Sequence, residues 1–241
     1  MHIQELHAWP TTIAEAKKVQ LRLRANVRPA PLQRVPRTVA GALVAQYKDD
    51  ERLYAVVVVT DANSMRVLET VTHVAPARFP YVPGYLSFRE MPPLLDAFKR
   101  LRTVPDVVIS DRHGLAHPRR LGLASHLGLW LGVPTVGCCP TLLIGEAHPA
   151  AREQGATAPL LDEETGELVG LALRTRAGVN PVYVSTGHMV TLPEAAAVVL
   201  AQSRGRRMPE PLRLAHQRCV QLRKSVVALD PSTQELIRRQ A

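Results

Sequence analysis

The chain has 241 residues, enough for one large domain or two small ones. Hydrophobic residues make up 46% of it and aromatics only 4%, so it has the makings of a real core, mostly aliphatic. A net charge of +9 points to a polyanionic partner such as nucleic acid or an anionic surface, the alternative being charge kept for solubility.

No run reaches the roughly 18 apolar residues of a membrane span, so no membrane partner is expected. The opening "MHIQELHAWPTT" lacks the basic start and apolar stretch of a signal peptide. Cys138, Cys139 and Cys219 show no CxxC spacing. They read as free thiols in a reducing cytoplasm, and a zinc site built on cysteine pairs is not expected.

In chain order, "TIAEAKKVQLRLRANV" opens with a Thr12–Glu15 capping box and carries Ile13, Ala16, Gln20, Leu23 and Val27 on one side, which predicts a helix. After the proline-rich "RPAPLQRVPR" come strands in "TVAGALVAQY", "LYAVVVVT" and "MRVLETVTHV". The turns between them are short, so neighbours run antiparallel. "PPLLDAFKRLR" predicts a helix with prolines in its first turn. The short strand "PDVVIS", a helix in "PRRLGLASHLGLWLG" and the strand "VPTVGCC" follow. Residues 146–167 read as polar and irregular, and "LVGLALRT" and "NPVYVST" as two more strands. "PEAAAVVLAQSR" is a helix, and "DPSTQELIRRQA" adds a short one. Three antiparallel strands followed by alternating helices and strands make an α/β chain with a mixed sheet flanked by helices. One domain is expected over residues 1–223, with a peripheral tail over 224–241.

Asp111 ends the strand "PDVVIS", at the sheet edge where ligands of open α/β sheets usually sit. It is either functional there or a solvated loop acid. Arg119 and Arg120 follow Pro118 in the expected first turn of a helix. They form a phosphate seat or else splay into water. Glu90 pairs with Ser87 as a capping box, or serves as a second acid. Tyr81 stands between prolines, near Phe79, Tyr85 and Phe88. It stacks on a nucleic-acid base, or the group packs as core. His188 follows a strand, where a lone histidine is usually structural. His113, His117 and His126 joining Asp111 around zinc is a weak alternative.

Taken together, "WPTTIAEAKKVQLRL", "FPYVPGYLSFRE", "DRHGLAHPRRLGLASHLGLWLGVPTVG", "GVNPVYVSTGH" and "RRMPEPLRLAH" resemble endonuclease V, in order, over residues 9–216. The resemblance implies a ribonuclease H-like fold. It also implies a metal-dependent endonuclease, usually using Mg²⁺ with Mn²⁺ as a substitute, that acts in DNA repair on deoxyinosine in DNA or on inosine in RNA. The family cuts the second phosphodiester bond 3′ to the lesion. Pro80, Tyr81, Val82 and Pro83 match its strand-separating wedge. Gly84, Leu86 and the residues around them match part of the pocket for the displaced base. Glu90 and Asp111 match two metal-binding acids, and His188 a histidine near the scissile phosphate.

Three positions depart from the family pattern. Leu43, in "AGALV", stands where the first strand's metal-binding aspartate belongs. Pro140 stands where a lysine belongs, and Arg112 replaces a glycine beside the base pocket. Leucine offers magnesium no oxygen. Proline offers no side-chain donor, and losing such a donor commonly costs about 2.7–4 kcal/mol in kcat. Asp49 and Asp50 lie too far along the chain to substitute, and Asp61 belongs to the next turn. The expectation is therefore a cytoplasmic monomer that binds DNA or RNA carrying inosine or distortions. Mg²⁺ or Mn²⁺ is bound weakly or not at all, and nicking is weak or absent. The rivals are a working nuclease with a rearranged metal site and a non-catalytic interaction protein.

Overall fold

The computed structural model describes residues 1–48 and 50–229. Helix α1 (Ile13–Leu23) begins with the expected capping box: Thr12 Oγ1 accepts from the Glu15 N–H, and the Glu15 carboxylate accepts from the Thr12 N–H. It buries Ala16, Gln20 and Leu23.

Strands β1 (Thr38–Gln46), β2 (Arg52–Asp61) and β3 (Val67–Pro76) form the antiparallel meander that the short turns require. Helix α2 (Leu86–Lys99), β4 (Val107–Ser110), α3 (Leu123–Leu131) and β5 (Thr135–Cys139) supply the alternating units. β4 runs parallel to both β1 and β5, as strand–helix–strand connections favour. β6 (Glu146–Ala147), β7 (Thr157–Leu161), β8 (Leu168–Leu173) and β9 (Val182–His188) extend the sheet antiparallel. The strand order is β3-β2-β1-β4-β5-β9-β8-β7-β6. α4 (Leu192–Ser203) and α5 (Glu210–Leu229) complete the chain of elements.

The side chains of β1 alternate between the two faces of the sheet. Ala40, Ala42 and Val44 pack with Met91, Leu94 and Leu127 of α2 and α3. Leu43 packs with Tyr54, Val56, Ala215 and Cys219, on the side covered by α5. Val39, Ile109 and Val184 pack with Ala195, Val199 and Leu212 of α4 and α5. The N-terminal segment closes the first core: Trp9 stacks on Trp130 with ring centroids 5.0 Å apart, and the Gln4 N–H donates to the Trp130 carbonyl at 2.8 Å.

Several elements differ from the sequence reading. α2 starts at Leu86, not at the prolines, so Pro92 and Pro93 lie inside the helix. That puts Glu90 on the helix itself. α3 starts only at Leu123, with Gly122 as its N-cap, so "PRRLG" is a turn. The stretch read as irregular contains β6 and β7; Pro159 is tolerated in β7 close to the sheet's edge. α5 runs to Leu229 without a break at 223, so the expected tail boundary falls within a helix. The helix expected in "DPSTQELIRRQA" lies outside the described residues. Among the described residues no helix is long and apolar enough to cross a membrane.

Candidate active site

Asp111 follows β4 directly and its N–H donates to the Ala42 carbonyl of β1 at 3.3 Å, which anchors it beside the central strand pair. Its carboxylate is 15% exposed. Burial pushes its pKa up to about 6; Arg112 opposes the shift and the nearby Glu90 adds to it. Glu90, on α2, is only 6% exposed. It does not cap the helix. Tyr85 is the N-cap, without a side-chain bond, and Ser87 Oγ has no partner.

Arg112 joins the two acids. Its Nε donates to Glu90 Oε2 at 2.8 Å, Nη2 to Glu90 Oε1 at 2.9 Å, and Nη1 to Asp111 Oδ2 at 3.0 Å. Nη2 also meets the Val44 carbonyl at 3.3 Å. The paired carboxylates, Asp111 foremost, hold its pKa above the ordinary arginine value, so it stays charged. Leu43, 7% exposed, lies in its apolar cluster. Neither nearby acid replaces the missing one: Asp50 is bound to Arg52 and Tyr54, and Asp61 accepts from the backbone of Asn63 and Ser64. Asp49 lies outside the described residues.

Magnesium needs a tight octahedron of oxygens. The residues present do not fit one: the β1 position is carbon and both remaining acids are occupied by a guanidinium. Among the described residues no group of three or more His, Cys, Asp or Glu comes together to hold a metal, zinc included.

Next to the acids is a cavity of about 360 Å³, lined by Pro83, Gly84, Leu86, His113, Gly122 and Leu143 among others, with Tyr81 at its edge. Its size falls within the roughly 300–1,000 Å³ of small-molecule pockets. Asp111, Arg112, Cys139 and Pro140 share its wall. Tyr81 is 66% exposed, and Pro80 and Pro83 beside it are also exposed, so this aromatic is not core. Val82 is half-buried, and its carbonyl accepts from the Tyr85 N–H at 3.0 Å, closing the loop.

The loop is pinned at Gly84. Its carbonyl accepts from His117 Nε2 at 2.8 Å, Arg119 Nη2 at 2.7 Å and Gln20 Nε2 at 3.0 Å. His117 is neutral: burial lowers its pKa to about 3, and its Nδ1 accepts from the Arg119 N–H. Gln20 was legible only as a member of the buried side of α1. Nothing in its spacing announced that it would reach the loop.

The structure does not bring every expected residue to the site. His188 pairs with Thr135 at the far end of β5; Thr135 lies level with Val108, three residues before Asp111, or about 10 Å along the strand. Its Nδ1 accepts from the Arg28 N–H. The arginines do not line a helix N-terminus. Arg119 is tied to Gln20 and Gly84 and lies over the Tyr85 ring at 4.2 Å. Arg120, at φ +54°, pairs with Asp162 and Glu167. Both guanidiniums are spent on the protein itself. His126 belongs to the Trp9–Trp130 cluster.

A sheet in which an antiparallel meander adjoins two parallel strands, with acids gathered where β1 and β4 meet, is the ribonuclease H-like architecture of a nucleic-acid enzyme. The Endonuclease V family model matches residues 20–217. Endonuclease V of Roseiflexus sp. is 48% identical over 86% of this chain and 91% of its own, and that of Myxococcus xanthus is 44% identical over 92% and 94%. The crystal structure of Endonuclease V from Streptomyces avermitilis matches with a TM-score of 0.86 at 38% identity, covering 94% of this chain and 99% of that one. Endonuclease V of Ciona intestinalis, solved in complex with a 24mer DNA containing an inosine followed by a ribo-adenosine, matches with a TM-score of 0.77 at 26% identity, covering 89% and 98%. The chain belongs to the Endonuclease V family.

Proposed function

We propose that this chain binds DNA or RNA containing deoxyinosine, inosine or a helical distortion, and that it cuts such strands weakly or not at all. One observation carries the reading: an exposed Tyr81 on a pinned proline loop stands beside an open cavity, while among the described residues only two acids reach the adjoining site and both are bound to Arg112. Extruding a base costs a few kcal/mol, least where its pairing is already weak. A rigid wedge and an adjoining pocket meet that cost, and base–aromatic stacking contributes about 1–3 kcal/mol more. The Ciona complex with inosine-containing DNA supports the choice of ligand. The net charge of +9 supports a polyanion.

Weak cutting follows from the chemistry of three side chains. Leu43 offers a divalent ion no oxygen, Pro140 offers the reacting phosphate no donor, and Arg112 holds both acids. Mg²⁺ or Mn²⁺ is accordingly weakly held or absent. Wedge and cavity come from one chain, so a monomer suffices.

The test is nicking of inosine-containing DNA and RNA with Mg²⁺ and with Mn²⁺, beside salt-dependent binding of the same probes. Binding without efficient nicking is the expected result. Robust turnover at ordinary enzyme levels would overturn the impairment and favour a working nuclease with a rearranged site. Absence of binding even at low salt would remove nucleic acid as the ligand and leave an interaction protein. Leu43→Asp with Pro140→Lys and Arg112→Gly is expected to raise nicking above that of the parent.

A further inference from the structure

A guanidinium has five N–H donors in a rigid planar fork. At Arg112 most of the fork is engaged. Nε and Nη2 take both oxygens of Glu90, Nη1 takes Asp111 Oδ2, Nη2 also faces the Val44 carbonyl, and Nη1 faces the Asp111 carbonyl at 3.5 Å. The side chain remains 31% exposed at the cavity wall, but its short hydrogen bonds all go to the protein. The group ties together α2, the end of β4 and the backbone of β1 next to Leu43.

Those are the three elements that bring the acids together in the family pattern. The charges also match. Three carboxylates with one divalent ion carry one net negative charge, and so do two carboxylates with one guanidinium. Leu43 removes an acid and Arg112 adds a fixed cation, so each departure offsets the other.

We infer that the Arg112 guanidinium is a built-in substitute for the divalent ion, closing the Glu90–Asp111 seat to metal and freeing nucleic-acid binding from any need for divalent cations. The second half rests on the proposed binding function; the first does not. Arg112 is here a positioning residue: it fixes the two acids and the strand end at the cavity wall, as a bound ion would.

Two measurements test this. Mn²⁺ is titrated by calorimetry into the parent protein, Arg112→Gln, and Leu43→Asp/Arg112→Gly. The parent is expected to take up no Mn²⁺ at millimolar concentration. The double variant, with three acids and no guanidinium, is expected to bind it at least about tenfold more tightly than Arg112→Gln. Separately, fluorescein-labelled inosine-containing DNA and RNA are titrated by polarisation in EDTA and in Mg²⁺ at equal ionic strength, and the two affinities are expected to agree within about twofold. Stoichiometric Mn²⁺ uptake by the parent would overturn the inference, as would probe binding that disappears in EDTA. If no probe binds under either condition, the proposed function fails, and the Mn²⁺ titration of the parent, which needs no variant to fold, still decides whether the seat is closed.

Discussion

Gly84 sits at φ +80°, a backbone region that costs other residues about 1–2 kcal/mol. A Cβ there would lie 2.9 Å from Arg119 Nη2, close enough to push the guanidinium off the carbonyl it holds. Gly84→Ala is therefore expected to lower Tm by several degrees and to weaken probe binding about tenfold or more, because it loosens the loop that carries Tyr81. Calorimetric melts and polarisation read the two effects separately; unchanged affinity with a lowered Tm would show that loop rigidity is irrelevant to binding. Glu90, Asp111, the exposed Tyr81 loop and the departures at Leu43 and Pro140 could be read in the sequence, because "PYVPGYLSFRE", "AGALV", "DRHG" and "CCPT" are local strings. The Arg112 fork was not legible. It joins residues 22 positions apart to a carbonyl 68 positions away, and no spacing rule reports a contact of that range.

β1 and α5 meet with unusually little between them. A Cβ on Gly41 would fall 2.3 Å from the Pro211 carbonyl carbon and oxygen, both backbone atoms that cannot swing aside. Overpacking commonly costs about 1–3 kcal/mol even when side chains can yield, so Gly41→Ala should cost at least that. Urea titration would detect it as a lower midpoint; an unchanged midpoint would mean that α5 docks more loosely than the structure shows. The stripe that docks α5 was in the sequence. Leu212, Ala215, Cys219, Leu222 and Val226 recur at intervals of three and four, and Pro209 and Pro211 mark the start. β7 was hidden: with only alternate residues buried and a proline inside, it is a strand because its neighbours pair with it, not because its own composition demands one.

Across the molecule, buried histidines contribute to the acid limit of stability. Burial lowers His113 to about 4 and His117 to about 3, and holds His126 well below its ordinary value of 6.5. Once the pH drops below 6.5 the unfolded chain binds protons that the folded chain refuses, so stability is fully present above 6.5. Stability then falls by roughly 1.4 kcal/mol per pH unit for each group, down to about 4 for His113 and about 3 for His117. Asp111, raised to about 6, works the other way between 6 and its ordinary 3.8 and offsets part of the loss. Tm is expected to be several degrees lower at pH 5 than at pH 7.5, and His117→Gln should flatten the profile. Equal Tm values at the two pH values would contradict the burial of these rings.

The stacking of Trp9 on Trp130 has a spectroscopic consequence. The chain has two tryptophans, and they are in contact with each other. Intrinsic emission therefore arises from a single locus, where residues 1–9 rest on α2 and α3 and Trp9 packs against Phe79, Tyr85 and Phe88 beside the Tyr81 loop. Its quenching or shift reports loosening of this corner, the amino-terminal strap or the base of the Tyr81 loop, rather than an average over the whole protein, and loosening confined to the far strands β6 to β8 would leave that signal unchanged.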